Sequence, residues 1–239
     1  MCRENIAAQG VVLEKVINSK ISYIEATEYP LSADIGVIRD GGNVWLYDVG
    51  NRLELKETLT EWFGRENCFI VLSHFHQDHI GSLPRLLARE DQSMDFQPQV
   101  IYVSKETYRH VHRGRIVNEE FSLGGLHIFP LPSSHAKGCL GLEVEDTYAF
   151  VGDALYCKRR GQNAVYNAQI LKEEIAVLKK LKAPYLLVSH WNGLVRRKSD
   201  VIAELEYIYQ KRVKNSPEII LAEDYWADRG KEATAKEDR

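Results

Sequence analysis

Residues 68–72 read Cys-Phe-Ile-Val-Leu, and the next seven are Ser73-His74-Phe75-His76-Gln77-Asp78-His79. A short run that is apolar at every position reads as a strand buried on both faces, because a strand with one wet face would alternate. Any sheet that holds it needs cover on each side. The pattern returns at residues 186–188, Leu-Leu-Val, which lead into Ser189-His190. Both runs end in polar, histidine-bearing segments, and residues just past buried strand ends are where such folds place functional groups.

The rest of the chain supplies the cover. Residues 52–63 carry Leu55, Leu59 and Trp62 at helical spacing. Residues 168–181 set Leu171, Ile175 and Leu178 on one stripe, and 199–213 do the same with Val201, Leu205 and Ile208. Residues 105–112 read as a further helix. Strands are expected at 11–17, 21–27, 35–39, 44–49, 100–103, 126–131, 140–144 and 148–151. Asp40-Gly41-Gly42-Asn43 reads as a hairpin turn, because its glycines permit positive φ. The order of strands, helix, strand, helix occurs twice, with no Pro/Gly/Ser-rich linker between. That implies two mixed sheets sandwiched between helices, an αββα arrangement of the α/β (α+β) class, in one domain over residues 1–227. Residues 228–239 are charged and small, and read as a frayed tail.

Composition excludes several functions. With 239 residues, 44% of them hydrophobic, the chain can bury a sizeable core. A net charge of −3 against 31 basic residues speaks against a nucleic-acid or anionic-membrane partner. No apolar run approaches the ~18 residues that cross a bilayer. The first ten residues lack the basic-then-apolar order of a secretory signal. Cys2, Cys68, Cys139 and Cys157 show no paired spacing, so reduced thiols and a cytoplasmic location are expected.

The chemistry sits in His74, His76, Asp78 and His79. Four potential ligands in six residues are hard to explain as packing, since crowded imidazoles repel once charged unless a metal or carboxylate compensates. Imidazole with carboxylate suits Zn²⁺, and accepts Mn²⁺ or Fe²⁺. The pattern H-x-H-x-D-H-x-G resembles the metallo-β-lactamase superfamily of metallohydrolases. Asp48 after Leu46-Tyr47, His135 in His135-Ala136-Lys137-Gly138, Asp153 after Val151-Gly152, and His190 after Val188-Ser189 match that family's other marks in order. The resemblance implies the metallo-β-lactamase fold and two divalent metals, zinc by preference. His74, His76 and His135 would hold one, Asp78, His79 and His190 the other, and Asp153 would bridge them. Asp48 would orient ligands from behind. It also implies a bridging hydroxide as nucleophile, with Asp78 orienting it and handling its proton.

Departures from the pattern narrow the branch. The β-lactamases proper carry cysteine or serine where Asp153 stands, so antibiotic hydrolysis is not the expected main activity. His76 stands where the flavin-linked di-iron branch has glutamate, and too little chain follows His190 for the glutathione-binding domain of hydroxyacylglutathione hydrolases. A transfer-RNA exosite arm is missing as well. Asp153-Ala154-Leu155-Tyr156 resembles the D-x-x-Y of lactone-hydrolysing members. It offers Tyr156 as a donor to the substrate oxygen, with a packing role as the alternative. Lys158-Arg159-Arg160 and Arg196-Arg197-Lys198 would favour a small anionic substrate if both rim one mouth, and otherwise are solvated surface. His110, His112 and His127 read as surface or core histidines. The expected reaction is hydrolysis of an ester, thioester or lactone, with a phosphoesterase or a catalytically idle metal-binding member as alternatives. Substrate identity and oligomeric state are left open by the sequence.

Overall fold

The computed structural model describes residues 13–64, 66–88 and 97–222. Among these, two large sheets carry the chain. The first has seven strands in the order Glu14–Val16, Ile21–Ile24, Ile35–Asp40, Asn43–Tyr47, Asn67–Val71, Pro98–Val103 and Arg115–Ile116. The second has six: Phe121–Leu123, Leu126–Leu131, Cys139–Val144, Tyr148–Gly152, Tyr185–Val188 and Val195–Arg197. Most neighbours are antiparallel. Four pairs are parallel: Asn43–Tyr47 with Asn67–Val71, Asn67–Val71 with Pro98–Val103, Pro98–Val103 with Arg115–Ile116, and Tyr148–Gly152 with Tyr185–Val188. A parallel pair needs a crossover, and the helices Leu55–Phe63 and Ala168–Lys180 lie on the first and last of these connections.

Three apolar cores define four layers. Leu55, Leu59, Leu83 and Leu86 from helical segments cover Val44, Leu46, Ile70 and Leu72 of the first sheet. Trp45, Tyr47 and Val71 on its other face meet Leu140, Leu142, Phe150 and Leu187 of the second sheet. Leu171, Ile175, Leu178, Val201, Leu205 and Ile208 then cover the outer face of that sheet, against Val151, Leu186 and Val188. The order is helix, sheet, sheet, helix. Ile70 belongs to the outer core and Val71 to the inner one, so the apolar run at 68–72 is buried on both faces. Each fully buried side chain of this size contributes roughly 1.5–3 kcal/mol.

The helices at 55–63, 105–111, 168–180 and 198–210 stand within three residues of their expected bounds at every end. Several elements differ from expectation, among them short strands at Arg115–Ile116, Phe121–Leu123 and Val195–Arg197 that the sequence did not suggest. Residues 21–27 do not form one strand: Ile21–Ile24 ends early, and Thr27–Glu28 pairs with Leu31–Ser32 in a small separate hairpin. Lys158–Arg160 and Asn163–Asn167 form a hairpin that Glu218–Leu221 extends into a third sheet. A wholly exposed Lys-Arg-Arg strand carries no apolar signal, and charge of this kind suits an edge strand. The strand expected at 11–17 is present from Glu14. Residues 11 and 12, Cys2 and the tail at 228–239 lie outside the described residues. None of the described helices is long and apolar enough to cross a membrane.

Candidate metal centre

Five strand ends deliver the site. Asn43–Tyr47 ends at Asp48, Asn67–Val71 leads to Ser73 and His74, Leu126–Leu131 leads to His135, Tyr148–Gly152 to Asp153, and Tyr185–Val188 to His190. The one-turn helix Gln77–Ile80 carries Asp78 and His79. It is tied down by two backbone bonds: Ala33 N–H donates to the Asp78 carbonyl at 2.9 Å, and Val49 N–H to the His79 carbonyl at 3.0 Å. Asp48 and His190 both hold left-handed backbone, at φ 64° and 59°. Non-glycine residues persist there only where their surroundings hold them. Asp48 accepts from Ser73 N–H at 2.7 Å and meets His79 Nδ1 at 2.7 Å. His190 N–H donates to Asp34 Oδ2 at 2.9 Å. Gly152, at φ 53°, lets the strand before Asp153 pass close to Ser73, where a Cβ would lie 2.9 Å from the serine Cβ.

The donor atoms gather into two adjoining groups. His74, His76 and His135 converge to within 4.8 Å of one another, and so do Asp78, His79, Asp153 and His190. His76 Nδ1 lies 2.9 Å from His135 Nε2, and His190 Nε2 lies 3.0 Å from Asp78 Oδ2. Asp153 Oδ2 stands between the groups, 3.3 Å from His79 Nε2 and 3.4 Å from His135 Nε2. Ligands of a tetrahedral zinc ion at ~2.0–2.1 Å lie about 3.4 Å apart, which is the scale of these separations. His74 Nε2, His79 Nε2 and Asp153 Oδ1 are buried without a hydrogen-bond partner. Leaving one such atom unsatisfied costs about 1–3 kcal/mol, so three of them in one place fit a bound cation.

The electrostatics of the two groups differ. In the three-histidine group, burial is the main force and lowers the pKa of His74, His76 and His135. Neutral imidazole is the form that coordinates metal. In the second group burial again opposes charge on His79, but Asp153 and Asp48 outweigh it and push the pKa well above the usual value. For His190 the hydrogen bond to Asp78 and the charge of Asp153 overcome burial in the same way. For Asp78, burial is overcome by the hydrogen bond from His190 and the charge of His79, which hold the pKa at about 2.

Every residue named as a ligand from the sequence, His74, His76, Asp78, His79, His135, Asp153 and His190, lies in one of the two groups. Asp48 stands behind His79 and is fully buried. The Tyr156 hydroxyl donates to the Ser189 carbonyl at 2.7 Å, so its proton supports the turn that carries His190. The two basic runs do not share one mouth. Lys158 and Arg159 line a cavity of about 500 Å³ together with His76, His135, Tyr156 and Cys157. Arg160 pairs with Glu218 at 2.8 Å, and Arg196 pairs with Glu204 at 2.8 Å beneath the Trp191 ring. A second cleft of about 350 Å³ flanks His190, lined by Asp34, Trp191 and Leu194 among others. His127 lies beside Glu143 and His112 caps a helix, both outside the donor groups. His110 stacks on Phe75. Asp34, Ser73 and Ser133 were not legible as site residues. Ser73 Oγ lies 2.9 Å from His74 Nδ1, and Ser133 Oγ accepts from His135 N–H at 3.0 Å. Cys68, Cys139 and Cys157 are in no disulfide among the described residues.

Comparison with known proteins agrees with this geometry. A family model described as the metallo-beta-lactamase superfamily matches residues 29–93, which include Asp48 and the whole His74–His79 segment. No curated protein sequence matches significantly. The DIM-1 metallo-beta-lactamase superposes with a TM-score of 0.64 at 16% identity, over 83% of this chain and 97% of that one. FIM-1 from Pseudomonas aeruginosa, solved in a mono-zinc form, gives 0.63 at 16% identity, over 84% and 95%. A B3 metallo-beta-lactamase with an active-site glutamic acid gives 0.60 at 12% identity, over 82% and 87%. At these identities the superpositions establish the fold. The matched motif segment and this shared fold together support a metallohydrolase of the metallo-β-lactamase type.

Proposed function

We propose that the protein is a two-metal hydrolase that opens the ester, thioester or lactone bond of a small anionic molecule. The observation that carries this reading is the placement of Asp153 Oδ2 within 3.4 Å of donors in both groups. His74, His76 and His135 would hold one cation, Asp78, His79 and His190 the other, and Asp153 would serve both. The nitrogen–oxygen donor set suits zinc first, and manganese or iron as well. Bound there, a divalent pair supplies water acidified to near-neutral pKa and an electrophile for the substrate oxygen.

The chain's own groups do the rest. Asp48 fixes His79 so that Nδ1 faces backward and Nε2 faces the site. Asp34 fixes the backbone of His190. Asp78, half-buried and beside His190, is the carboxylate placed to orient the attacking water and relay its proton towards the leaving group. Tyr156 acts through Ser189 rather than on the substrate. Lys158 and Arg159 on the cavity wall beside His76 and His135 favour a negative group on the substrate. The same two cations support a second reading, a phosphoesterase. An idle metal-binding role is the less favoured alternative, because the full donor set is present. A net charge of −3 supports a small-molecule substrate over nucleic acid or membrane, and cysteines without paired spacing favour a reducing, cytoplasmic setting. A screen of thioesters, lactones, carboxylic esters and phosphodiesters, run with zinc, manganese or iron, tests the reading. Turnover of a carbonyl substrate is expected, lost in Asp153→Ala. Turnover confined to phosphodiesters would move the assignment to the second reading, and metal binding without any turnover would move it to the idle one.

A further inference from the structure

Helix Lys105–Val111 supplies no donor to either group, yet it touches both loops that feed the three-histidine group. At its far end the His110 ring lies flat on Phe75, with centroids 4.2 Å apart and planes 7° from parallel. Phe75 stands between His74 and His76 in sequence and packs against the core outside the second sheet. Its ring meets that of His76 edge-on at 5.2 Å. At its near end the helix is capped by Ser104, whose Oγ accepts from Thr107 N–H at 3.1 Å. Ser104 and Glu106 press on Gly138, three residues after His135. A Cβ there would lie 2.7 Å from Ser104 Oγ and 2.5 Å from Glu106 Oε2. One short rigid element therefore sets the spacing between the loop of His74 and His76 and the turn of His135.

We propose that His110 is a positioning residue for the three-histidine metal site, acting through its stack on Phe75. The inference rests on the metal-site reading above. The physical link is the chain itself: Phe75 sits at a bend directly between the two imidazoles, whose rings lie 4.5 Å apart. If Phe75 is gripped on one side, the imidazoles before and after it are fixed in direction, and His76 Nδ1 stays 2.9 Å from His135 Nε2. Without the grip, the loop samples other directions and a cation must reorder it on binding. His110 is solvent-exposed, so its ring is not needed for the core.

The test compares His110→Ala with His110→Phe, which keeps a flat ring and removes the nitrogens. Stepwise Co²⁺ affinity is measured by chelator competition on the full chain, with the visible cobalt spectrum and the melting temperature of the chelator-treated protein alongside. The wild type is expected to bind two equivalents. In His110→Ala one equivalent should weaken roughly threefold to tenfold, the range of an aromatic stack, with an altered cobalt spectrum and an unchanged metal-free melt. His110→Phe should return the affinity to within about twofold of wild type. Wild-type affinity for both equivalents in His110→Ala would overturn the proposal, as would a His110→Phe variant as weak as the alanine one. A wild type that binds no cobalt would overturn the metal reading itself, and that shows before any variant is compared.

Discussion

Glu174 gives the sharpest test of the packing beneath the site. It lies on helix Ala168–Lys180 between Leu171, Ile175 and Leu178, fully buried, and neither carboxyl oxygen has a hydrogen-bond partner. Burial alone pushes its pKa well above 4.5. The unfolded chain then ionises Glu174 near pH 4.5 while the folded chain keeps it protonated. Below 4.5 both states hold the proton and the residue is pH-neutral. From there up to the folded pKa, each pH unit removes about 1.4 kcal/mol of stability. Glu174→Met keeps much of the volume and removes the titration. Urea unfolding of both proteins at equal metal loading, from pH 5 upward, should show the variant gaining on the wild type by up to about 1.4 kcal/mol per pH unit until the folded pKa is passed. Every other titrating group is common to the two proteins, so the difference isolates Glu174. A difference that stays flat with pH, or a wild type that gains on the variant as pH rises, would refute the reasoning.

Two further outcomes follow from the site. Asp48→Asn cannot accept from both Ser73 N–H and His79 Nδ1, so affinity for the second metal equivalent should fall about 10- to 100-fold, read by chelator competition; a change below about threefold would contradict the orienting role. Tyr156→Phe should cost about 1 kcal/mol of stability through the lost bond to Ser189 and change kcat less than about threefold, whereas a loss of ~10²–10³ in kcat would restore Tyr156 as a donor to the substrate.

What the sequence made legible was what lies close together in it. His74, His76, Asp78 and His79 share one strand end, so their spacing alone exposes them. The αββα layering was readable because residues 68–72 and 186–188 are apolar at every position, and the helices around them have striped faces. Asp153 and His190 needed the repeated strand-then-polar pattern and the family resemblance. Asp34 was invisible because it acts on a backbone N–H 156 residues away, and a backbone partner leaves no mark on residue type. The sheet joining 158–167 to Glu218–Leu221 was missed because its edge strand is all charge and its pairing is distant in sequence. His110 reads as a surface histidine and is exposed, but its stack on Phe75 follows from the fold and not from spacing.

The central claim is that Asp153 sits between two cation sites. Metal content of the protein purified without chelators, measured by elemental analysis on wild type and on Asp153→Ala, tests it most directly. A value approaching two divalent metals per chain is expected in the wild type, with a loss that reaches both equivalents in Asp153→Ala, because the side chain faces His135 of one group and His79 of the other. One metal or fewer per chain in a fully active wild type, or an Asp153→Ala variant that retains both metals, would contradict it.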